Sequence, residues 1–217
     1  MMTDFQLIVF DWDGTLMDST GHIVNCMQQA IQQLDLPELP NSAINHIIGL
    51  GLNEAVLALY PDASQTLVEV LADKYREIWL SNPQQTPLFD NARELLQQLA
   101  QQDYFLAVAT GKSRRGLDKV LKSTGLASYF HTTRCADECH SKPHPQMIEQ
   151  IMEYLGVESR ATLMIGDTEY DLKMAHNAGA NSLGISHGAH PITTLQACHP
   201  LAVVDDLHQL QNWLKAC

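Results

Sequence analysis

The sequence predicts an α/β fold: a doubly wound, mostly parallel sheet with an all-helical segment inserted after its first strand. Three observations carry this. Short apolar runs at Leu7–Phe10, Tyr104–Thr110 and Thr162–Gly166 have strand length and no polar alternation, as expected of strands buried on both faces of a parallel sheet. From Asp90 onward these runs alternate with segments of helical period, the pattern of strands joined by crossover helices. Between residues 19 and 82, by contrast, only helical periodicity is present. The expected organisation is therefore a core of 1–18 and 83–217 and a helical cap of 19–82.

Taken in order, the first strand ends in Asp11-Trp12-Asp13-Gly14, where the glycine allows a sharp turn. Ser19-Thr20 is positioned to cap a helix in which Ile23, Met27, Ile31 and Leu34 recur at helical spacing. Pro37 and Pro40 end it, and Asn41 or Ser42 begins another helix. The glycine-interrupted loop 47–52 follows, with Asn53 as the expected cap of a helix over 54–60. Residues 64–80 form a further helix with an apolar stripe of Leu67, Val70, Leu71, Tyr75, Ile78 and Trp79. The segment 81–87 is proline-rich and marks the boundary back to the core. Helices are expected at 90–101, at 113–124 with Gly125 beyond its end, near 144–155, at 169–178 before Gly179 and at 206–215. Short strands are expected at 182–186 and 201–204.

Composition narrows the function classes. Thirteen basic against 25 acidic residues give a net charge of −12, which disfavours nucleic acid and anionic membranes as partners. A small phosphorylated ligand remains compatible, because one cation can invert the field within a cleft. The five cysteines form no disulfide framework. No stretch has the length of a membrane span and no basic leader precedes the first apolar run, so the protein is read as soluble and cytoplasmic.

The polar residues at strand ends carry the chemistry. Asp11 and Asp13 are two apart, so in an extended chain they face the same side, roughly 6–7 Å from one another. Thr110-Gly111-Lys112 follows the second core strand and suits an anion. Lys142 precedes Pro143, which biases it to an extended conformation. Asp167 ends another buried strand, and Asp171 lies one turn into the next helix, so both could face one cation. Ligands of open α/β sheets bind at the carboxyl ends of the strands, where all these residues fall. Cys135, Cys139, His140 and His144 are soft-ligand types, but their spacing is compressed for zinc, and they are expected to be unligated loop residues.

The ordered set of Asp11-Trp12-Asp13-Gly14-Thr15-Leu16 with Asp18-Ser19, Thr110-Gly111-Lys112, Lys142-Pro143, and Gly166-Asp167-Thr168 with Asp171 and Met174 to Gly179 resembles the haloacid dehalogenase superfamily of phosphatases. The subgroup resembled has a helical cap after the first motif, and the phosphoglycolate phosphatase branch is the most similar. Trp12 and His187 are mild departures. The resemblance implies a Rossmann-like core, Mg²⁺ as cofactor and hydrolysis of a small phosphorylated metabolite, phosphoglycolate or something like it, through an aspartyl-phosphate. It implies Asp11 as nucleophile, Asp13 as acid and base, Thr110, Gly111 and Lys142 as phosphoryl-binding groups, and Asp11, Asp13 (through its carbonyl), Asp167 and Asp171 around the metal. It further implies that Gly49, Leu50 and Gly51 descend onto the substrate when the cap closes, and that the protein is a monomer or homodimer. Phosphomutase and pyrophosphatase activities of the same family are the nearest alternatives. Dehalogenation is disfavoured by the acid at Asp13, and a non-catalytic binding role by the complete motif set.

Overall fold

The computed structural model describes residues 5–81 and 86–216. The expected domain boundary at 82–83 lies outside the described residues. β1 (Leu7–Phe10) leads into four helices, α1 (Thr20–Gln33), α2 (Asn41–His46), α3 (Leu52–Leu59) and α4 (Gln65–Ser81). The chain then builds the sheet through α5 (Ala92–Gln101), β2 (Phe105–Thr110), α6 (Arg114–Thr124), β3 (Thr132–Cys135), α7 (Gln146–Leu155) and β4 (Thr162–Gly166). It closes with α8 (Glu169–Asn177), β5 (Asn181–Ile185), α9 (Ile192–Gln196), β6 (Val203–Val204) and α10 (Leu207–Lys215).

The six strands are all parallel, in the order β3-β2-β1-β4-β5-β6. β1 is central, and the strand order reverses between it and β4, which opens a crevice at their carboxyl ends. The pleat of β1 divides the core in two. Ile8 and Phe10 face α5, α6 and α10 through Leu95, Leu117 and Leu210, while Leu7 and Val9 face α7 and α8 through Ile148, Ile151 and Met174. Each such fully buried aliphatic or aromatic side chain contributes about 1.5–3 kcal/mol by leaving water. A third apolar cluster, from Met27, Ile31, Ile44, Val56, Val68 and Leu71, holds α1–α4 together as the helical insert.

Several local expectations are corrected. Ser19 precedes α1 but makes no capping bond; its hydroxyl donates to Asp13 Oδ1 at 2.5 Å instead. Gly51, not Asn53, occupies the cap position of α3, which begins at Leu52. In α4 the buried positions are Val68, Leu71, Ala72 and Ile78, and Val70 is exposed. β3 and α9 were not expected. β3 is an edge strand of Thr-Thr-Arg-Cys, only its cysteine buried, and so lacks the apolar run that marks an interior strand. The helices over 114–124 and 146–155 end on Gly125 and Gly156, both at φ +69.

Two connections tie the insert to the sheet. Asp18 N–H donates to the Pro87 carbonyl and Phe89 N–H to that of Leu16, so the outgoing and returning chains run side by side. Trp12 and His187 find apolar settings in this neighbourhood. Trp12 is buried and directs its indole N–H at Met17 Sδ, and the His187 ring stacks on Phe89 with centroids 3.7 Å apart while donating to the Thr15 carbonyl. Among the described residues no helix is long and apolar enough to cross a membrane.

Candidate active site

β1, β2 and β4 are neighbours in the sheet, so their carboxyl ends deliver Asp11, Thr110 and Asp167 to one point. All three are buried. Asp171 joins them from the first turn of α8, and Lys142 from the segment between β3 and α7. Lys142 Nζ donates to Asp11 Oδ1 at 2.7 Å and to Asp171 Oδ1 at 2.6 Å. Burial would lower the Lys142 pKa, but the two carboxylates outweigh it and hold the ammonium above its ordinary value.

The remaining oxygens are disposed unequally. Asp171 Oδ2 accepts from the Thr168 backbone and hydroxyl in a capping box, so that carboxylate is fully occupied in steering Lys142. Asp167 accepts from the Thr15 hydroxyl and the Ala189 N–H, both at 2.7 Å. Asp11 Oδ2 is buried and has no hydrogen-bond partner. Such an orphan is costly unless something charged or hydrogen-bonding is meant to meet it.

Electrostatics point the same way. Burial pushes the Asp11 carboxyl up to about 7; Lys142 pulls against this, while the Asp171 charge adds to it. Burial, and then the charges of Asp11 and Asp171, hold Asp167 well above the usual carboxylate range. One ammonium thus bonds two of three dry acids, whose ligand oxygens lie within 4.8 Å of one another. This donor set, three carboxylates against one ammonium and so short of two positive charges, fits a hard divalent cation such as Mg²⁺.

Asp13 sits beside this centre, not within it. Lys112 Nζ grips both its oxygens, at 2.9 and 2.8 Å, and Ser19 adds a third bond. Thr110 Oγ1 accepts from the Lys112 N–H at 3.2 Å, which folds the 110–112 turn around the site.

The loop of Gly49, Leu50 and Gly51 lies directly on that turn. A Cβ on Gly111 would come within 2.5 Å of the Leu50 carbonyl and 2.7 Å of that of Gly49. Glycine is therefore required at 111 by the close approach of the insert's backbone. Gly51 N–H donates to Ser141 Oγ at 2.8 Å, anchoring the loop next to Lys142.

Three groups that were not singled out from the sequence complete the site: Thr15, Thr168 and the Ala189 N–H. Thr168 was accessible in principle, as the first member of a Thr-x-x-Asp capping box. A second collection of ligand-type atoms, His46, Glu169 and His190, bridges insert and core. It suits no cation, because both ring nitrogens of His190 are committed: Nδ1 accepts from the Glu169 N–H and Nε2 donates to the His46 carbonyl. Cys135, Cys139, His140 and His144 do not come together as a group of three or more ligand atoms among the described residues. Arg114 is paired with Glu138 and Asp118.

Lys142→Met is expected to lower the unfolding free energy by about 3–5 kcal/mol, because it leaves two buried carboxylates without their counter-ion. Urea denaturation with an unchanged m-value checks this; a loss below about 1 kcal/mol would show the triad to be energetically neutral.

Known proteins resemble this chain over most of its length. The model of the family described as haloacid dehalogenase-like hydrolase matches residues 8–185. The chain is 36% identical to a probable phosphatase, IndB, of Dickeya dadantii, covering 94% of this chain and 91% of that protein. It is 31% identical to a phosphoglycolate phosphatase of Vibrio parahaemolyticus, covering 95% of each. In fold it is similar to a hydrolase from Pseudomonas syringae, with a TM-score of 0.90 at 24% identity over 98% of each chain.

Proposed function

We propose, from the premise that the chain belongs to the haloacid dehalogenase-like hydrolase family and is a phosphatase, that it hydrolyses a small phosphomonoester through an aspartyl-phosphate on Asp11, with a short, phosphoglycolate-like substrate preferred. The observation that carries this is the Asp11 side chain. One oxygen is fixed by Lys142 and the other is buried, unpartnered and free to attack.

Asp11, Asp167 and the Asp13 carbonyl would hold Mg²⁺, with Asp171 just outside. When bound, the ion neutralises charge that would otherwise repel a phosphate from this acidic pocket. Thr110 donates its hydroxyl to a phosphoryl oxygen. Lys142 offsets charge on the attacking carboxylate. Asp13, one position past the nucleophile's neighbour and on the same side of the chain, protonates the leaving oxygen and then takes a proton from the water that cleaves the acyl phosphate. The docked 49–51 loop excludes bulk water and limits the size of the alcohol part.

The test is release of inorganic phosphate from a metabolite panel with Mg²⁺ present, including phosphoglycolate, a hexose phosphate and pyrophosphate. Product analysis separates hydrolysis from internal phosphoryl transfer. Asp13→Asn is expected to slow alkyl ester hydrolysis roughly 10²–10⁴-fold. Single-turnover phosphoryl transfer from p-nitrophenyl phosphate should be spared in comparison, because that leaving group needs little protonation. Equal losses for both esters would remove the acid role from Asp13.

A further inference from the structure

Lys112 has no part in the scheme above, yet it occupies a conspicuous place. Its ammonium takes both oxygens of Asp13, and its side chain is 11% exposed. The insert covers it from above: Nζ lies 4.9 Å from the ring centroid of Trp79 in α4. Trp79 is itself packed against His22 of α1, with centroids 4.4 Å apart, and against Tyr75 at 6.0 Å. Lys112 thus stands where the core's acid meets a wall of rings from the insert, bonded to the group that serves the leaving oxygen in the proposed reaction.

Asp13 cannot face an ester oxygen while both its oxygens are bound to Lys112 and one also to Ser19. One oxygen has to turn to the leaving group, and Lys112 then keeps one bond where it had two. An ammonium in so dry a position requires a replacement acceptor. The Trp79 face stabilises the cation by roughly 0.5–2 kcal/mol but cannot neutralise it. Arg114, the nearest cation in the following helix, is already paired with Glu138 and Asp118.

We propose that Lys112 binds a carboxylate on the alcohol part of the substrate, so that the enzyme selects short phosphomonoesters whose leaving group carries a single negative charge. The proposal rests on the phosphatase reading of the same site. A carboxylate brings a single charge to the ammonium as it gives up one of its two bonds to Asp13. A second phosphate in that position would bring two charges beside Asp13 with only one cation to meet them. The Trp79 ring over the ammonium, backed by His22, would bound the space left to the anionic group.

The experiment compares kcat/KM for phosphoglycolate and for ethyl phosphate, which has the same two-carbon length without the carboxylate. Wild type, Lys112→Gln and Lys112→Arg are measured, and pyrophosphate is included as the dianionic competitor. Wild type is expected to prefer phosphoglycolate over both. Lys112→Gln is expected to reduce the preference over ethyl phosphate by roughly 30-fold or more, the range for truncating one member of a buried charge pair, with the change mainly in KM. Lys112→Arg should retain part of it. Damage transmitted through Asp13 falls on both esters and cancels in the ratio. If Lys112→Gln turns over neither ester, the ratio of their dissociation constants, measured by calorimetry, replaces it. A ratio within threefold of wild type, or a wild type that prefers ethyl phosphate or pyrophosphate, overturns the role of Lys112. Absence of phosphate release from every ester by wild type would instead reject the phosphatase reading itself.

Discussion

Asp11→Asn is expected to abolish phosphate release, by at least roughly 10⁴-fold in kcat, the order seen when a nucleophile is removed. The amide is nearly the same size and can still accept from Lys142, so the local geometry survives. It is a far weaker nucleophile and a poorer ligand for a hard cation. Folding should not suffer greatly. Asp11 shares one ammonium with Asp171 beside a third buried acid, Asp167, and its neutralisation relieves repulsion with both. Stopped assays on variant protein free of other phosphatases measure the rate, and urea denaturation measures the stability. Residual turnover of more than about one per cent would mean that phosphorus is attacked by another group.

Chelation should be equally complete in its effect. EDTA is expected to remove activity, and Mg²⁺ in excess to restore it. Calcium should restore it poorly, since its longer and more variable coordination fits a compact carboxylate site badly. Added Mg²⁺ should also raise the stability of the folded protein without any substrate. A ligand at 100 times its dissociation constant contributes about 2.7 kcal/mol, and here it would also relieve the repulsion among Asp11, Asp167 and Asp171. Full activity after thorough chelation, with no change in Tm on adding Mg²⁺, would leave the acidic cluster without a metal-binding role.

The architecture was legible where burial leaves a strong mark. β1, β2 and β4 lie inside the sheet, and their unbroken apolar runs end in the residues that define the site. β3 escaped notice because an edge strand with three half-buried residues needs no apolar run. α9 is five residues long and carries too little periodicity to read. At the site, the strand-end acids and Thr110 were visible because position along a strand determines them. Thr15, the Ala189 N–H and the grip of Lys112 on Asp13 were not, because they depend on how separate loops cross in space. Ser19 shows the same limit: a serine before a helix is ordinarily a cap, and here tertiary contact with a carboxylate displaces that local bond.

The docked loop also sets a clock on turnover. Asp11 is 1% exposed, Thr110 1% and Lys142 2%, so no ester reaches them while the Gly49 and Leu50 carbonyls rest on Gly111. On the proposed reaction, each cycle would break the Gly51–Ser141 and His190–His46 hydrogen bonds and part Lys112 from Trp79, once to admit the ester and again to free phosphate. At about 1 kcal/mol for each contact, an open form would be populated at roughly one molecule in a hundred. Such movements occur in microseconds to milliseconds, and in many enzymes they, and not bond cleavage, limit the rate. The same contacts that shield the site from water would thereby ration access to it, and a variant that loosens them would exchange that protection for faster exchange of substrate and product.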